Sequence, residues 1–543
     1  ALQGKMAGVQ ITTTEGSPDA QMSIRVRGGG SITQSNEPLF IVDGFPVESI
    51  SDIPPTDIES IDVLKDASST AIYGARGANG VIIVTTKSGK EGKVSVSYNA
   101  YYAWKKVAKT LDVLSASDYT KWQYELAQLT NKNDDYIKYF GNYQDLDMYD
   151  NVATNDWQDL TFGRTGHSFN HNLSINGGSD KFKYSFSYSH IYDKAIMQMS
   201  DYARDNLNLK LNHKPLKNVS LDFSARFSKT KINGGGSNDA NSSLNTDKRL
   251  KYSLLYTPYP VPGISDALNA DEEDANSLLI NPLISLRDND TRKERINYNL
   301  AGSITWEIIK DLKLKAEVGY DDYRNNADRY YGVTTYYVRN NVDDEDKSKP
   351  AISFTRGTRT AFRSTNTLSY DFKKFFKNNK NHLNLLAGQE YIVTRERELR
   401  NVVHGFPTEY TADDCINYST KGNPYEVTNY GYPDDVLFSF FGRANYDFDS
   451  KYLFSATFRA DGSSKFAKGN QWGFFPSAAV AWRISSESFM ENTKNWLDDL
   501  KLRFSYGTAG NNNIPSGQIS QLYELNKTPW INGVNSYIAP SKY

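Results

Sequence analysis

The chain has 543 residues, more than one ordinary domain needs, and its 62 basic and 64 acidic residues leave a formal net charge of −2. That balance, with no strongly basic half, excludes the footprint of a nucleic-acid-binding protein. Mean hydropathy is −0.61, and no apolar run approaches the roughly 18 residues a membrane helix needs; this excludes helical spans but not a membrane barrel, whose alternating strands signal weakly.

Residues 1–92 read as a first unit, a small α+β module. Ala1–Ala7 suits a helical turn, and Val9–Thr13, Ser23–Arg27 and Leu39–Val42 read as short strands between Gly, Pro and Ser turns. Gly28–Pro38 is a polar, glycine-rich loop with neither the Lys-Ser/Thr nor the following helix of a phosphate cradle. The stretch IESIDVLKDASSTAIYGARGANGVIIVTTKS, Ile58–Ser88, organises the module. Glu59–Leu64 alternates like a half-buried strand. Asp66 or Ser68 can cap a short helical turn over Ala67–Tyr73, with Gly74 closing it in a left-handed conformation. Ala75–Gly80 is rich in turn residues, and Val81–Thr86 is a β-branched run for a buried strand. Read by itself, the stretch is a βαβ-like unit.

From Lys93 the texture becomes two-faced. Val94, Val96, Tyr98, Ala100, Tyr102 and Trp104 oppose Ser95, Ser97 and Asn99. The pattern recurs in Phe182–Ser189, Leu207–Asn212, Val219–Ser228, Ile296–Trp306 and Leu312–Tyr320, then in Asn366–Phe372, Leu383–Val393, Phe438–Phe448, Tyr452–Ala460, Trp472–Ile484 and Leu500–Thr508. With one more strand before Gly177, about thirteen strands are expected in 93–543. Short connections (Gly177–Asp180, His213–Asn218, Ile309–Lys310, Lys373–Lys380, Asp449–Ser450) alternate with long polar ones (Lys105–Ser168, Thr230–Arg295, Arg324–Ala361, Arg395–Val436). An up-and-down membrane barrel requires that segregation, and a soluble β-sandwich has no reason for it. In the first long connection, Ala116–Leu129 places Tyr119, Trp122, Leu126 and Leu129 on one helical face, capped by Ser115 or Ser117.

Catalytic and metal chemistry find little footing. The one cysteine, Cys415, permits no internal disulfide or multi-thiolate site and is expected to be inert. His167 and His171 stand four apart, but in a β-like stretch where that spacing builds no helical metal face. The acidic runs Asp271–Asp274 and Asp343–Asp346 offer oxygens of the kind Ca²⁺ takes, yet lack the glycine and spacing of an EF-hand; solvated loops are the expectation. No nucleophile elbow or carboxylate pair marks an enzyme. Tyrosine is abundant, with 37 residues. Tyr330, Tyr331, Tyr336 and Tyr337 fall in one long loop and Tyr252, Tyr256 and Tyr259 in another; such rings stack on sugars or fill loop cores and girdles.

Several segments resemble the SusC/RagA family of TonB-dependent outer-membrane transporters. In order these are ALQGKMAGVQI (Ala1–Ile11), SIRVRGGGSI (Ser23–Ile32), PLFIVDGFPV (Pro38–Val47) and the Ile58–Ser88 stretch. RADGSSKFAKGNQWGFFPSAAVAWRISSE (Arg459–Glu487) and LKLRFSYGTAGNNNI (Leu500–Ile514) follow. The resemblance implies a mainly β fold: a transmembrane antiparallel β-barrel of the 22-stranded type, here incomplete, with the α+β plug in its lumen. It makes Lys65, Asp66, Tyr73, Gly74, Arg76, Gly77, Asn79 and Gly80 a structural plug signature. Gln34, Ser35 and Asn36 would face the substrate cavity and join Tyr330, Tyr331, Tyr336 and Tyr337 as candidate substrate contacts. It implies partners too: TonB with its inner-membrane motor proteins, a SusD-like lipoprotein as lid, an oligosaccharide or peptide substrate, and a pair of transporter–lid units. No cofactor is expected, with Ca²⁺ in an acidic extracellular loop kept open. No signal peptide opens the chain at Ala1, so a signal is expected to have been cleaved or to lie upstream. A passive porin, a surface glycan-binding protein and a surface hydrolase stay as rival readings.

Overall fold

The computed structural model describes residues 8–13, 22–26, 36–234, 249–262, 280–340, 345–372, 380–517, 519, 523–526 and 537–540. The helical turn expected over Ala1–Ala7, most of the Gly28–Pro38 loop and the Asp271–Asp274 run lie outside them.

The N-terminal module holds two small sheets. β1 (Val9–Thr13) pairs with β2 (Met22–Val26), and β3 (Leu39–Val42), β4 (Phe45–Val47), β5 (Ile58–Leu64) and β6 (Val81–Thr86) form a sheet in the order β4-β3-β6-β5. Ile11, Ile24, Phe40, Val42, Ile82 and Val84 make one apolar core between them, as the β-branched run at 81–86 requires. β5 and β6 are antiparallel neighbours. The βαβ reading of this stretch is therefore corrected: the parallel partner of β6 is β3, and β5 takes its other edge antiparallel. The connecting helix is α-helical over Ala67–Thr70 and continues as a 3₁₀ turn to Arg76, so Gly74 kinks it (φ 51°, ψ −119°) rather than ending it.

The second unit is one large antiparallel sheet. Its strands are β7 (Gly92–Lys105), β8 (Gly166–Gly178), β9 (Phe182–Lys194), β10 (Asp201–Leu216), β11 (Val219–Asn233), β12 (Thr291–Ile309), β13 (Leu312–Tyr331), β14 (Ala351–Asp371) and β15 (Asn381–His404). β16 (Asn423–Gly431), β17 (Asp435–Phe448), β18 (Tyr452–Ser463), β19 (Trp472–Arg483) and β20 (Lys501–Gly507) complete it. Neighbours follow chain order from β7 to β20, except that β16 lies off this path. The sheet is barrel-like and not closed. Along β13, Leu314, Val318 and Tyr320 point outward and exposed, while Gly319 packs on the plug's Phe45 and Asp321 is buried on the inner side. Outward rows elsewhere are equally apolar, as in Leu300, Ile304 and Trp306 or Phe454 and Phe458. An apolar outer face around an occupied inner one is the profile of a membrane barrel.

Two stretches expected to be loop are strand. The ladder of β13 with β14 continues to Tyr331 and Ala351, inside the expected Arg324–Ala361 loop. Over Arg324–Asn326 and their partners Arg356–Thr358 both faces are polar, so the two-residue period lapses while the hydrogen bonds persist. β16 arises inside the expected Arg395–Val436 loop because β15 outreaches β17; its free upper part, Arg397–His404, takes a partner from the loop instead.

The helix in the first long loop spans Ala116–Thr130 with Ser115 as N-cap, accepting from the Asp118 N–H. Its buried face is Ala116, Tyr119, Thr120 and Ala127, whereas Trp122 is 49% and Leu129 83% exposed. Of the expected face, Tyr119 is buried and Leu126 half-buried, so the buried stripe overlaps the expected one and is shifted from it. The pocket it enters is built by Tyr136, Phe140 and Tyr259, and it favours small residues at 116 and 127.

Placing Arg at Val318, 51% exposed on an interior strand of the sheet, is expected to cost about 2–4 kcal/mol of folding stability in bilayers if that row lies near mid-membrane. Urea titration of folding into liposomes measures it; the same change at Thr358, outward but higher on β14, should cost far less.

Candidate functional site

Among the described residues the plug meets the sheet's inner face at several places, and three of them centre on a carboxylate. The first centres on Glu390 of β15, which is 4% exposed. Arg76 of the plug donates to its Oε1 at 2.8 Å. Arg459 of β18 donates to the same oxygen at 2.8 Å, and Arg363 of β14 donates to Oε2 at 2.8 Å. One buried carboxylate is therefore shared by three guanidinium groups, and these planar forks suit such sharing where lysine would not. Arg459 also donates from Nε to Asp461 at 2.6 Å and from Nη1 to the Ile72 carbonyl at 2.7 Å. Asp461 in turn accepts the Ala75 N–H at 2.6 Å. Arg363 reaches the Gly44 carbonyl and, at 3.1 Å, Glu317.

This convergence explains Gly74. A Cβ there would stand 2.1 Å from Asp461 Oδ2 and 2.7 Å from Arg459 Cδ, so any side chain would push the plug off the wall. A main-chain seam continues the contact. Gly510 N–H donates to the Gly74 carbonyl at 3.2 Å, Ala78 N–H to the Gly510 carbonyl at 3.2 Å, and Asn512 N–H to the Ala75 carbonyl at 2.9 Å. Thus the segment after β20 runs along the plug's 74–78 turn.

At the second place Asp43, at the β3–β4 turn with φ 51°, accepts from the Thr86 N–H at 2.8 Å and hydroxyl at 2.7 Å. Lys210 of β10 donates to Asp43 at 2.7 Å and to the Thr86 carbonyl at 2.8 Å. At the third place Asp57 accepts from Ser187 at 2.7 Å and Asn172 at 3.4 Å, both on the wall. Burial pushes the Asp57 carboxyl above the usual carboxylate value, against the lowering by these two hydrogen bonds and by Lys87.

Of the signature residues, Tyr73, Gly74 and Arg76 meet at the Glu390 cluster, where burial raises the Tyr73 hydroxyl's pKa. Asp66 faces Arg503 of β20 at 3.4 Å, and Lys65 follows directly on β5. Gly77, Asn79 and Gly80 shape the turn into β6: Gly80 N–H returns to the Gly77 carbonyl at 3.2 Å, Gly80 has φ 86°, and Asn79 is buried. Wall residues Glu390, Arg363 and Lys210 were not singled out from sequence. Arg459, Asp461, Gly510 and Asn512 lie in the two barrel motifs, RADGSS and GTAGNNN, without a role assigned there.

The candidate substrate contacts are scattered. Asn36 is half-buried just before β3, and Gln34 and Ser35 lie outside the described residues. Tyr330 and Tyr331 are 7% and 8% exposed. Tyr330 packs with Ile352, Val403, Phe406 and Cys415, its hydroxyl donating to the Tyr410 carbonyl at 3.2 Å. Tyr331 stacks on Tyr337 at 4.3 Å, and the Tyr337 hydroxyl meets His404 Nε2 at 2.9 Å. Tyr336 opens the short helix Tyr336–Asn340. Packing inside the loop cap thus takes up Tyr330, Tyr331 and Tyr337. Tyr252, Tyr256 and Tyr259 are buried as well. Burial pushes the Cys415 thiol up to about 12, an unreactive state. Among the described residues no group of three or more His, Cys, Asp or Glu could hold a metal. Asp346 instead accepts from Asn423 at 3.1 Å and pairs with Lys349 at 3.4 Å.

A plug clasped to a barrel wall is matched by comparison with known proteins. Residues 1–81 match the TonB-dependent receptor plug domain, and residues 235–541 match the TonB-dependent receptor-like β-barrel. The chain belongs to the TonB-dependent receptor family. Within that family it is of the SusC/RagA type. It is 32% identical to the TonB-dependent receptor SusC of Bacteroides thetaiotaomicron, over 94% of this chain and 50% of that protein. It is 31% identical to the TonB-dependent receptor P3 of Formosa agariphila, over 98% of this chain and 50% of that protein. Among solved structures it resembles the RagAB peptide transporter with a TM-score of 0.78 at 25% identity, covering 100% of this chain and 61% of that one. The chain spans about half the length of the curated relatives it matches.

Two outcomes test how this receptor seats its plug. Glu390→Gln leaves one buried guanidinium group, that of Arg459, and two partly buried ones without their shared carboxylate, and is expected to weaken plug seating by about 3 kcal/mol; protease access to the plug across a urea series reads it. Because the raised Asp57 carboxyl binds its proton more tightly when the plug is seated, this contact favours seating most below the usual carboxylate pKa. The benefit fades as pH rises through the raised value. Asp57→Asn should therefore hold the plug at least as well at neutral pH and flatten the acid-side dependence in the same assay.

Proposed function

We propose that this protein serves active import of oligosaccharides across the bacterial outer membrane, as a multi-pass β-barrel that is not an enzyme. The observation that carries the proposal is the charged clasp between plug and wall. A wide lumen stopped by a module held through several buried contacts conducts only when work moves the module, and the outer membrane has no ATP to supply that work. TonB, driven by its inner-membrane motor proteins, is the proposed source. A SusD-like surface lipoprotein is the proposed lid, and two transporter–lid units the proposed assembly. The family resemblance of the sequence motifs, which implies oligosaccharide cargo in most members, favours a glycan substrate. The second reading, oligopeptide import, is favoured by the likeness to a structure described as a peptide transporter.

Uptake of labelled oligosaccharides and peptides by cells producing the whole-length protein with its lid partner tests both readings. Glycan uptake that vanishes when the proton gradient is collapsed is the expected result, and peptide uptake with the same dependence would favour the second reading. Uptake that survives the collapse would mean a passive pore. Binding without uptake would mean a surface receptor, and released shorter sugars would mean a hydrolase.

A further inference from the structure

Most short connections of the sheet lie at one end, such as residues 217–218, 310–311 and 449–451. The β19–β20 connection, residues 484–500, is at that same end but is far longer. It folds as two 3₁₀ segments, Ile484–Ser486 and Ser488–Thr493. A turn at this end needs only two or three residues, so the extra length requires an explanation.

Ile484, Met490 and Leu497 are half-buried, but two large aromatic side chains of the connection are open. Phe489 is 65% exposed and Trp496 75%, among the most open large apolar residues of the chain. The connection is also tied to one particular side of the sheet. Glu487 accepts from the Tyr452 hydroxyl at 2.8 Å and from the Trp482 indole N–H at 3.0 Å, with Lys451 at 3.2 Å. Tyr452 begins the outward row of β18 that continues through Phe454 and Phe458. Trp482 ends the outward row of β19 that runs from Trp472 through Phe474 and Val480. Both rings therefore sit where the apolar outer face meets the short-turn end, the level of an aromatic girdle. Glu487 fastens the connection to that girdle from outside, not to the lumen rim.

We infer that residues 484–500 form an interfacial anchor that lies on the phospholipid leaflet at the short-turn end, with Phe489 and Trp496 inserted at the headgroup–acyl boundary. The occupant follows from continuity. The outward rows of β18 and β19 face acyl chains, and the segment leaves from the last ring of those rows without crossing to the polar side. Aromatic rings combining an apolar body with a polar edge favour that depth. Ser485 and Arg483 meet Asp499 at 2.9 and 3.5 Å and draw the far end of the segment back to its start. Trp496 is thereby kept close to the girdle.

The inference rests on the membrane-barrel reading, and one experiment separates the two. The whole-length protein is placed in nanodiscs of zwitterionic phospholipid with or without bromine on the acyl chains, and Trp emission is compared between wild type, Trp496→Phe and Trp482→Phe. Emission lost in Trp496→Phe gives the Trp496 component, and Trp482→Phe does the same for the girdle. The expected result is that brominated lipid removes most of both components. Quenching of Trp482 but not Trp496 would overturn the anchor while leaving the barrel intact, and would mean the segment faces water or protein. Quenching of neither would overturn the membrane reading itself. Trp496 is exposed, so its replacement leaves folding undisturbed.

Discussion

A carboxylate buried among guanidinium groups costs several kcal/mol to leave short of its partners. Glu390 is in that position, and one of its three partners, Arg76, belongs to a different unit of the chain. The wall supplies Arg363 and Arg459, and Asp461 balances part of the excess positive charge. Plug and wall are thus joined by a dependence that runs both ways. Without Arg76 the wall keeps two arginines and an acid arranged around a gap; without Glu390 the plug keeps a partly buried cation. The neighbouring features follow from the same close approach: no Cβ at Gly74, a kinked 3₁₀ turn, and a main-chain seam with residues 510–512.

Such a clasp holds firmly at rest and can also be undone. Its strength depends on exclusion of water and on alignment, so a displacement of a few ångströms lets solvent reach the charges and sharply weakens their attraction. The Lys210–Asp43 and Asp57 contacts are small polar clusters of the same kind, separated by patches such as Phe45 against Gly319. The apolar core of the plug lies within its own two sheets, not between plug and wall. A module built this way can leave its seat without unfolding its core first, whereas an apolar interface of equal size would bind plug and wall into one folding unit.

The outer architecture was legible because lipid on one side and polar surroundings on the other impose a two-residue period on every crossing segment. Where that constraint ends, legibility ends too: the upper β13–β14 ladder and β16 lack a regular apolar alternation and read as loop. The Ala116–Thr130 helix is legible from its cap and apolar content, but its buried face only in part: Tyr119 enters the pocket as expected, while Ala116, Thr120 and Ala127 take the places expected of Trp122 and Leu129. The plug half of the site could be read from IESIDVLKDASSTAIYGARGANG, since turns and caps are local. Its wall half could not. Glu390, Arg363 and Lys210 look like any polar residues on an alternating strand, and only strand register brings them together from distant parts of the chain. The loop tyrosines show the reverse difficulty, for an aromatic cluster reads alike whether it awaits a sugar or fills a loop core.

The most direct test of this dependence is a double-mutant cycle on Arg76→Ala and Glu390→Ala, read as the urea concentration at which the plug becomes accessible in the folded barrel. Partners in one buried network are expected to couple by ~0.5–3 kcal/mol, so that the double variant is clearly less impaired than the sum of the two single ones. Strict additivity would contradict the claim that this pair holds the plug in its seat.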